Sequence, residues 1–181
     1  KDFDDKALSI LKKKKNIRII KNSQKLDSNE IIFNSYSEKL FLQSSDNKEF
    51  EKKNFKIVSK KKPNRGMMDN LVFAFNICRF VKSNAIVIAN NFSTVGIGSG
   101  QPSRLDSCEI AINKMKKFNH LNKNLVAASD AFFPFVDGIE SLVQSGVKAV
   151  IQPSGSVRDK EIIRFANNTG TVLVFSKTRH F

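Results

Sequence analysis

From residue 63 onward, short apolar runs alternate with stripes of apolar residues at helical spacing. Apolar runs occupy 85–89, 94–97, 126–128, 147–152 and 171–175. Helical stripes lie over 69–81, 105–115, 138–144 and 159–167. Short continuous apolar runs are typical of strands covered on both faces. Their alternation with helices predicts an α/β fold, a layered and largely parallel sheet with helices on both faces.

Residues 1–60 are polar, charged and irregular by comparison. Residues 4–15 carry a helical stripe, 17–20 predict a strand, and 31–33 with 40–42 predict a hairpin. The change in pattern predicts two parts, an extension over 1–60 and a folded domain over 61–181.

Composition narrows the class of protein. The chain has 181 residues, 40% of them hydrophobic, which suits one globular domain with a loose extension. Its net charge of +14 leaves a basic nucleic-acid-binding module open as an alternative. Lys greatly outnumbers Arg, whereas base and phosphate recognition relies on Arg, so we interpret the charge as compositional bias.

The sequence also disfavours a metal site and a membrane location. Cys78 and Cys108 form no C-x-x-C pair, so no metal site is predicted, and buried reduced thiols suit the cytoplasm. No apolar run is long enough to span a membrane, so no membrane partner is expected. The chain starts at Lys1 rather than Met, which predicts a fragment or a processed protein.

Ligands of parallel α/β sheets sit beyond the carboxyl ends of the strands. That rule selects four connecting segments of this chain: 98–104, 129–137, 153–157 and 176–181.

The segment over 96–104 is rich in glycine and ends in Arg104. Glycines let a backbone approach a ligand, although a tight turn explains them equally well. Arg104, at a predicted helix start, suits a phosphate or a carboxamide oxygen. No Gly-Lys-Ser/Thr closes the segment, so it is not a Walker A loop.

The segment over 129–138 holds three phenylalanines between Asp130 and Asp137. Clustered aromatic side chains in a loop predict a flat pocket wall. The alternative is a loop folded over the core, with Asp137 capping the next helix. At 153–159, Ser156 and Asp159 resemble a capping box, and the exposed amides there also suit an acidic ligand.

Taken together, these segments closely resemble the AICAR transformylase domain of the bifunctional purine biosynthesis proteins. The matching segments, in order, are 81–86, 96–101, 103–104, 129–135, 151–153, 155–156 and 179–181. The resemblance is dense over 56–181 and looser over 1–55.

The resemblance implies two cytidine-deaminase-like halves without the deaminase zinc. Residues 1–60 would end the first half and form a linker, and 61–181 would be the C-terminal subdomain. It implies formyl transfer from the co-substrate 10-formyltetrahydrofolate to AICAR in IMP biosynthesis, with no bound cofactor. The parent protein would also be an IMP cyclohydrolase and an intertwined cytoplasmic homodimer.

The resemblance also assigns roles to residues. Asn84 would orient the AICAR amine and is the catalytic position of this chain. Further AICAR contacts would be Arg104, Phe132 and Arg179. The folate side would be formed by Pro134, Asp137, Ser156, Val157 and Phe181.

The family's general base is a His preceded by a Lys, and this chain has no Lys-His pair. We therefore expect the chain alone to be inactive. Val136 stands where many relatives carry Arg, and the chain stops at Phe181, before the usual family end. A deaminase-like hydrolase is a third alternative, disfavoured because the metal ligands and glutamate of the deaminase signature are missing.

Overall fold

The computed structural model of the protein describes residues 3–21, 31–46, 52–117 and 124–180. The chain divides into two compact units, residues 1–47 and 48–181. The predicted division at residue 60 lies inside the second unit, because 56–57 pair with that unit's last strand. Pairing between residues so far apart leaves no trace in local composition.

The first unit contains one helix and one hairpin. Helix α1 (Asp5–Leu11) begins after Asp4, whose Oδ1 accepts a 2.8 Å hydrogen bond from the Ala7 amide. Strands β1 (Ile31–Tyr36) and β2 (Lys39–Ser44) form the predicted hairpin, and every residue of both strands is exposed. Residues 17–20, predicted as a strand, pair with no strand in the described ranges, so that prediction is wrong here.

The second unit contains the predicted alternation of strands and helices. Its strands are β3 (Lys56–Ile57), β4 (Ile86–Asn90), β5 (Ser93–Gly98), β6 (Leu125–Ser129), β7 (Val147–Pro153) and β8 (Val172–Ser176). Its helices are α2 (Arg65–Cys78), α3 (Arg104–Lys117), α4 (Val136–Gln144) and α5 (Asp159–Asn168). No helix within the described residues is long and apolar enough to cross a membrane.

The six strands form one sheet in the order β3-β8-β7-β6-β4-β5. Only β6, β7 and β8 run parallel to one another, so the prediction of a largely parallel sheet is wrong. Strand β4 is antiparallel to both β5 and β6. Only Asn91 and Phe92 separate β4 from β5, and so short a connection joins only antiparallel strands.

Both faces of the sheet are covered, as predicted. Alternate side chains of β4 point to opposite faces, so Val87 packs towards α2 while Ile86 and Ile88 join the core beneath α3, α4 and α5. Phe75 of α2 is fully buried in the first layer. The sheet and its helices therefore form a rigid platform for the segments that leave the strand ends.

Candidate functional site

The four predicted segments meet at one end of the sheet. Strands β6, β7 and β8 are parallel and finish together, as the pairing of Pro153 with Ser176 shows. Because β4 is antiparallel to its neighbours, Ile86 at its start pairs with both Gly98 and Ser129. We call this the carboxyl end of the sheet, at which β5 to β8 finish and β4 begins.

A cleft of about 470 Å³ opens at the carboxyl end of the sheet. Its lining comes from three stretches of chain: Asn84, Pro102, Ser103, Arg104, Leu105, Pro134, Phe135 and Asp137. Four residues predicted to contact ligand thus line one cavity: Asn84, Arg104, Pro134 and Asp137.

Asn84 is held by its amide nitrogen. Nδ2 donates to the carbonyl oxygens of Gln101, at 2.9 Å, and Pro102, at 3.2 Å. The Ser107 hydroxyl donates to the Asn84 carbonyl at 2.7 Å. Two carbonyl acceptors on one side fix which side-chain atom is nitrogen. No hydrogen bond among the described residues uses Oδ1, so that oxygen remains an acceptor for a ligand.

Arg104 is held by an ion pair at the start of α3. Its Nη2 lies 2.8 Å from Oδ1 of Asp130, and the two side chains are 10% and 1% exposed. Nη1 donates to the Phe132 carbonyl at 3.2 Å. The other carboxylate oxygen of Asp130 accepts a hydrogen bond from the Ser83 hydroxyl. A buried pair of this kind requires good geometry to offset its desolvation.

Phe132 and Arg179 lie beside the cleft and contact each other. The Arg179 guanidinium carbon is 4.8 Å from the centre of the Phe132 ring. Gly155 packs against the same guanidinium, because a Cβ atom added to Gly155 would lie 3.1 Å from Nη2 of Arg179. Arg179 is exposed, so this cation is accessible to an anionic ligand.

The aromatic segment forms only part of a pocket wall. Phe133 is 1% exposed and belongs to the core, where its ring lies 2.8 Å from the position of a Cβ on Gly138. Phe135 is 51% exposed and lines the cleft, with Arg158 stacked at 4.8 Å on its ring. The prediction of a three-phenylalanine wall is therefore wrong for Phe133, because the loop folds one ring inward.

The glycines of the 96–104 segment serve packing rather than ligand approach. A Cβ on Gly96 would lie 2.1 Å from the Ala111 carbonyl oxygen, and one on Gly98 would lie 1.9 Å from that of Ser107. Both oxygens belong to α3, so the glycines let this helix lie against β5. Gly100, at φ 67°, makes the turn.

The amides at 155–156 are already occupied. Asp159 accepts from the Gly155 amide at 2.8 Å and from the Ser156 amide at 3.2 Å, so those amides are not open to an acidic ligand. The bond between Asp159 and the Ser156 amide agrees with the predicted capping box, and the Ser156 hydroxyl accepts from the Arg158 amide at 3.1 Å, although α5 itself begins after Arg158. Ser156 and Val157 do not line the cleft, and Val157 is fully exposed. Phe181 lies outside the described residues.

Asp137 does not cap α4 as the alternative prediction had it, because the N-cap residue of this helix is Phe135. Asp137 lies in the first turn of α4, and its Oδ1 accepts from the adjacent Gly138 amide at 2.7 Å. Its side chain is exposed and lines the cleft. A carboxylate is therefore available to a ligand in the same cavity as Asn84.

Both thiols are buried, as predicted. Burial is the main cause that raises the pKa of the Cys108 thiol from 9.0 to about 12, and it raises the pKa of Cys78 well above its usual value. Across the described ranges, no group of three or more His, Cys, Asp or Glu side chains can hold a metal ion.

Sequence reasoning missed the partner of Arg104. From the sequence, Asp130 is only one of two carboxylates around the aromatic segment, and nothing marks Ser83 as its partner. The available signal was an acidic residue directly after a buried strand, near an Arg at a helix start. Strands that end together bring such residues into contact.

Among solved structures, the chain is similar to two proteins at low sequence identity. For dCMP deaminase from the cyanophage S-TIM5 the TM-score is 0.42 at 16% identity, over 62% of this chain and 98% of that chain. For RibD of Acinetobacter baumannii the TM-score is 0.38 at 15% identity, over 59% of this chain and 33% of that chain.

Sequence comparison gives much stronger matches. Proteins named bifunctional purine biosynthesis protein PurH match 99% of this chain, with 42% identity in Buchnera aphidicola and in Aquifex aeolicus, and 44% in Leptospira biflexa. The chain spans 35% of the length of these relatives. The family model described as AICARFT/IMPCHase bienzyme matches residues 1–114. On these grounds the chain belongs to the AICARFT/IMPCHase bienzyme family.

Proposed function

We propose that this chain is the C-terminal part of an AICAR transformylase, which transfers a formyl group from 10-formyltetrahydrofolate to the amine of AICAR in purine biosynthesis. The observation that carries the proposal is the cleft, where Asn84, Arg104, Pro134 and Asp137 line one cavity. The family membership and the relatives' names support the same function.

Asn84 is suited to orient the amine. With Nδ2 committed to two carbonyl groups, Oδ1 is the atom left to accept a hydrogen bond from an amine N–H. The AICAR amine is a weak, delocalised nucleophile, so holding it against the formyl carbon supplies much of the rate enhancement. Asn84 acts in this proposal by orientation, since an amide does not take up the proton.

Arg179 and Phe132 are suited to the charged and planar parts of the substrates. The exposed guanidinium offers a cation to the anionic nucleotide, and the ring beneath it holds that cation in place. Pro134 and Asp137 take the folate side of the cleft. Ser156 and Val157 remain folate contacts in this proposal, reached from outside the described cavity, and Phe181 also remains a proposed folate contact.

We infer that the general base comes from outside this chain, because the sequence has no Lys-His pair. No histidine lines the described cleft, and His180 is 2% exposed with its ring 4.9 Å from that of Phe75. Proton removal from the attacking amine needs such a base. We assign this role to the Lys-His segment of the longer, cytoplasmic protein, whose other activity would be IMP cyclohydrolase.

The first unit supports the view that further polypeptide covers this chain. Helix α1 has no buried residue, and the hairpin exposes Phe33, Leu40, Phe41 and Leu42 by 59–68%. A two-stranded hairpin with exposed apolar side chains is not stable by itself. We propose that the first unit, residues 1–47 of the predicted 1–60, completes the preceding half of the domain, in a homodimer.

The test is formyl transfer measured with this chain and with a longer chain that includes the upstream Lys-His segment. We expect activity only in the longer chain, and we expect Asn84→Ala to lower its kcat by about a hundredfold or more. Asn113→Ala, on the exposed surface of α3, is the matched control and should keep full activity.

Two results would count against the proposal. Activity of the short chain alone would show that the base lies within it. Full activity of the Asn84→Ala variant of the longer chain would show that the cleft is not the site of transfer.

A further inference from the structure

We propose that Asp130 is a positioning residue, which fixes Arg104 and the 82–84 loop in the geometry that AICAR binding requires. The inference rests on the proposed function, since it concerns the same cleft. Asp130 itself does not line the cleft and therefore acts through its neighbours.

Asp130 connects separate segments at the carboxyl end of the sheet. Its two carboxylate oxygens bind Arg104, at 2.8 Å, and Ser83. Its backbone amide donates to the Ala85 carbonyl at 3.3 Å, and its carbonyl accepts from the His180 amide at 3.0 Å. Two of these partners, Ser83 and His180, directly adjoin Asn84 and Arg179 in the sequence. One residue that is 1% exposed thus links the segments that carry three proposed AICAR contacts.

The ion pair settles the orientation of Arg104 before a ligand arrives. Both terminal nitrogens are engaged, Nη2 by Asp130 and Nη1 by the Phe132 carbonyl. Nε is buried and has no hydrogen-bond partner among the described residues. A guanidinium held on two sides loses little conformational freedom when a ligand binds. Such pre-organisation raises the affinity for the ligand without adding a contact.

The contacts of Asp130 also explain why a carboxylate, rather than an apolar side chain, is buried at this position. A buried carboxylate beside the apolar residues Ala85 and Ala131 is costly unless it is paired. Its place directly after β6 is accounted for by the three segments that it holds.

The experiment measures AICAR binding to this 181-residue chain by NMR titration, with Asp130→Asn, Arg104→Gln and the double variant. Asp130→Asn keeps the side-chain shape but removes the charge that holds Arg104. We expect it to weaken AICAR binding by about tenfold or more, as for loss of a charged hydrogen bond. Because part of the effect of Asp130 passes through Arg104, the loss of affinity in the double variant should be clearly smaller than the product of the two single losses.

A purely structural role predicts something different, namely losses that multiply in the double variant, and that result would overturn the proposal. Unchanged affinity in Asp130→Asn would also overturn it. The control is Glu161→Gln, which removes the exposed pair with Arg158 at 3.4 Å and should leave AICAR affinity unchanged.

Two further measurements test the proposal if Asp130→Asn does not fold or if the wild-type chain does not bind AICAR. If Asp130→Asn does not fold, Ser83→Ala removes only one bond to the carboxylate and should weaken binding by about threefold; no change would overturn the proposal. If the wild-type chain binds no AICAR, the proposed site fails for this chain, and the Arg104 Nε–H signal decides the positioning role. That signal should be sharp in the wild type and broadened in Asp130→Asn, and identical signals would overturn the positioning role.

Discussion

Gly98, at the end of β5, lies directly beneath helix α3. A Cβ at this position would be 1.9 Å from the Ser107 carbonyl oxygen, 2.6 Å from its carbonyl carbon and 2.8 Å from its Cα. All three are backbone atoms in the interior of a helix, so no side-chain rotation relieves the clash. Gly98→Ala therefore forces the helix away from the sheet.

The distances set the size of the effect. Ordinary contact begins at 3.4 Å, so the helix and strand must separate by about 1.5 Å locally. Overpacking of a core costs about 1–3 kcal/mol, and a backbone clash belongs at the upper end. We expect a loss of about 3 kcal/mol in unfolding free energy, which lowers the Tm by about 6–12 °C in a chain of this size.

The assay is urea unfolding followed by circular dichroism, with Gly66→Ala as the matched control. The nearest atom to a Cβ on Gly66, in the first turn of α2, is the Asn64 side-chain oxygen at 3.8 Å. That substitution should stabilise the chain by about 0.4–1 kcal/mol. A loss below about 1 kcal/mol for Gly98→Ala would refute the packing role given to this glycine.

Three further predictions concern packing, strand attachment and pH. Phe133→Ala should cost about 3–5 kcal/mol in calorimetric stability, while the exposed Phe135→Ala should cost less than about 1 kcal/mol; equal losses would contradict the burial of Phe133. Ser59→Ala should lower the unfolding free energy in urea by about 1–3 kcal/mol, because it leaves the Leu173 amide without the 2.8 Å hydrogen bond that it donates to Ser59 Oγ. An unchanged unfolding midpoint would contradict this. The Cys108 pKa is raised to about 12, so its contribution to stability is complete below pH 9 and is lost as the pH rises towards 12. Unfolding titrations across that range should show a shallower decline for Cys108→Ala, and parallel curves would count against a buried neutral thiol.

The position and type of most elements in the second unit were predictable from the sequence. The run at 147–152 became β7 (Val147–Pro153), and the stripe at 159–167 became α5 (Asp159–Asn168). Hydrophobic periodicity reports which faces of an element are buried, and that information is local. The same reasoning located the carboxyl end of the sheet as the place for a site.

Contacts between distant residues decided the rest. The antiparallel direction of β5 is not evident from the sequence, because the turn at Asn91 and Phe92, both at positive φ, carries no glycine to mark it. The purpose of Gly96 and Gly98 depends on where α3 lies, and nothing in the glycines themselves distinguishes helix packing from ligand approach.

The candidate site shows the same division. By itself the sequence determined which residue types follow each strand, and its resemblance to a family suggested their roles. Only the tertiary structure decided that Phe133 enters the core and that Asp130 holds Arg104. The physical reason is that burial and pairing are properties of residues brought together from far apart in the chain, which a local pattern does not encode.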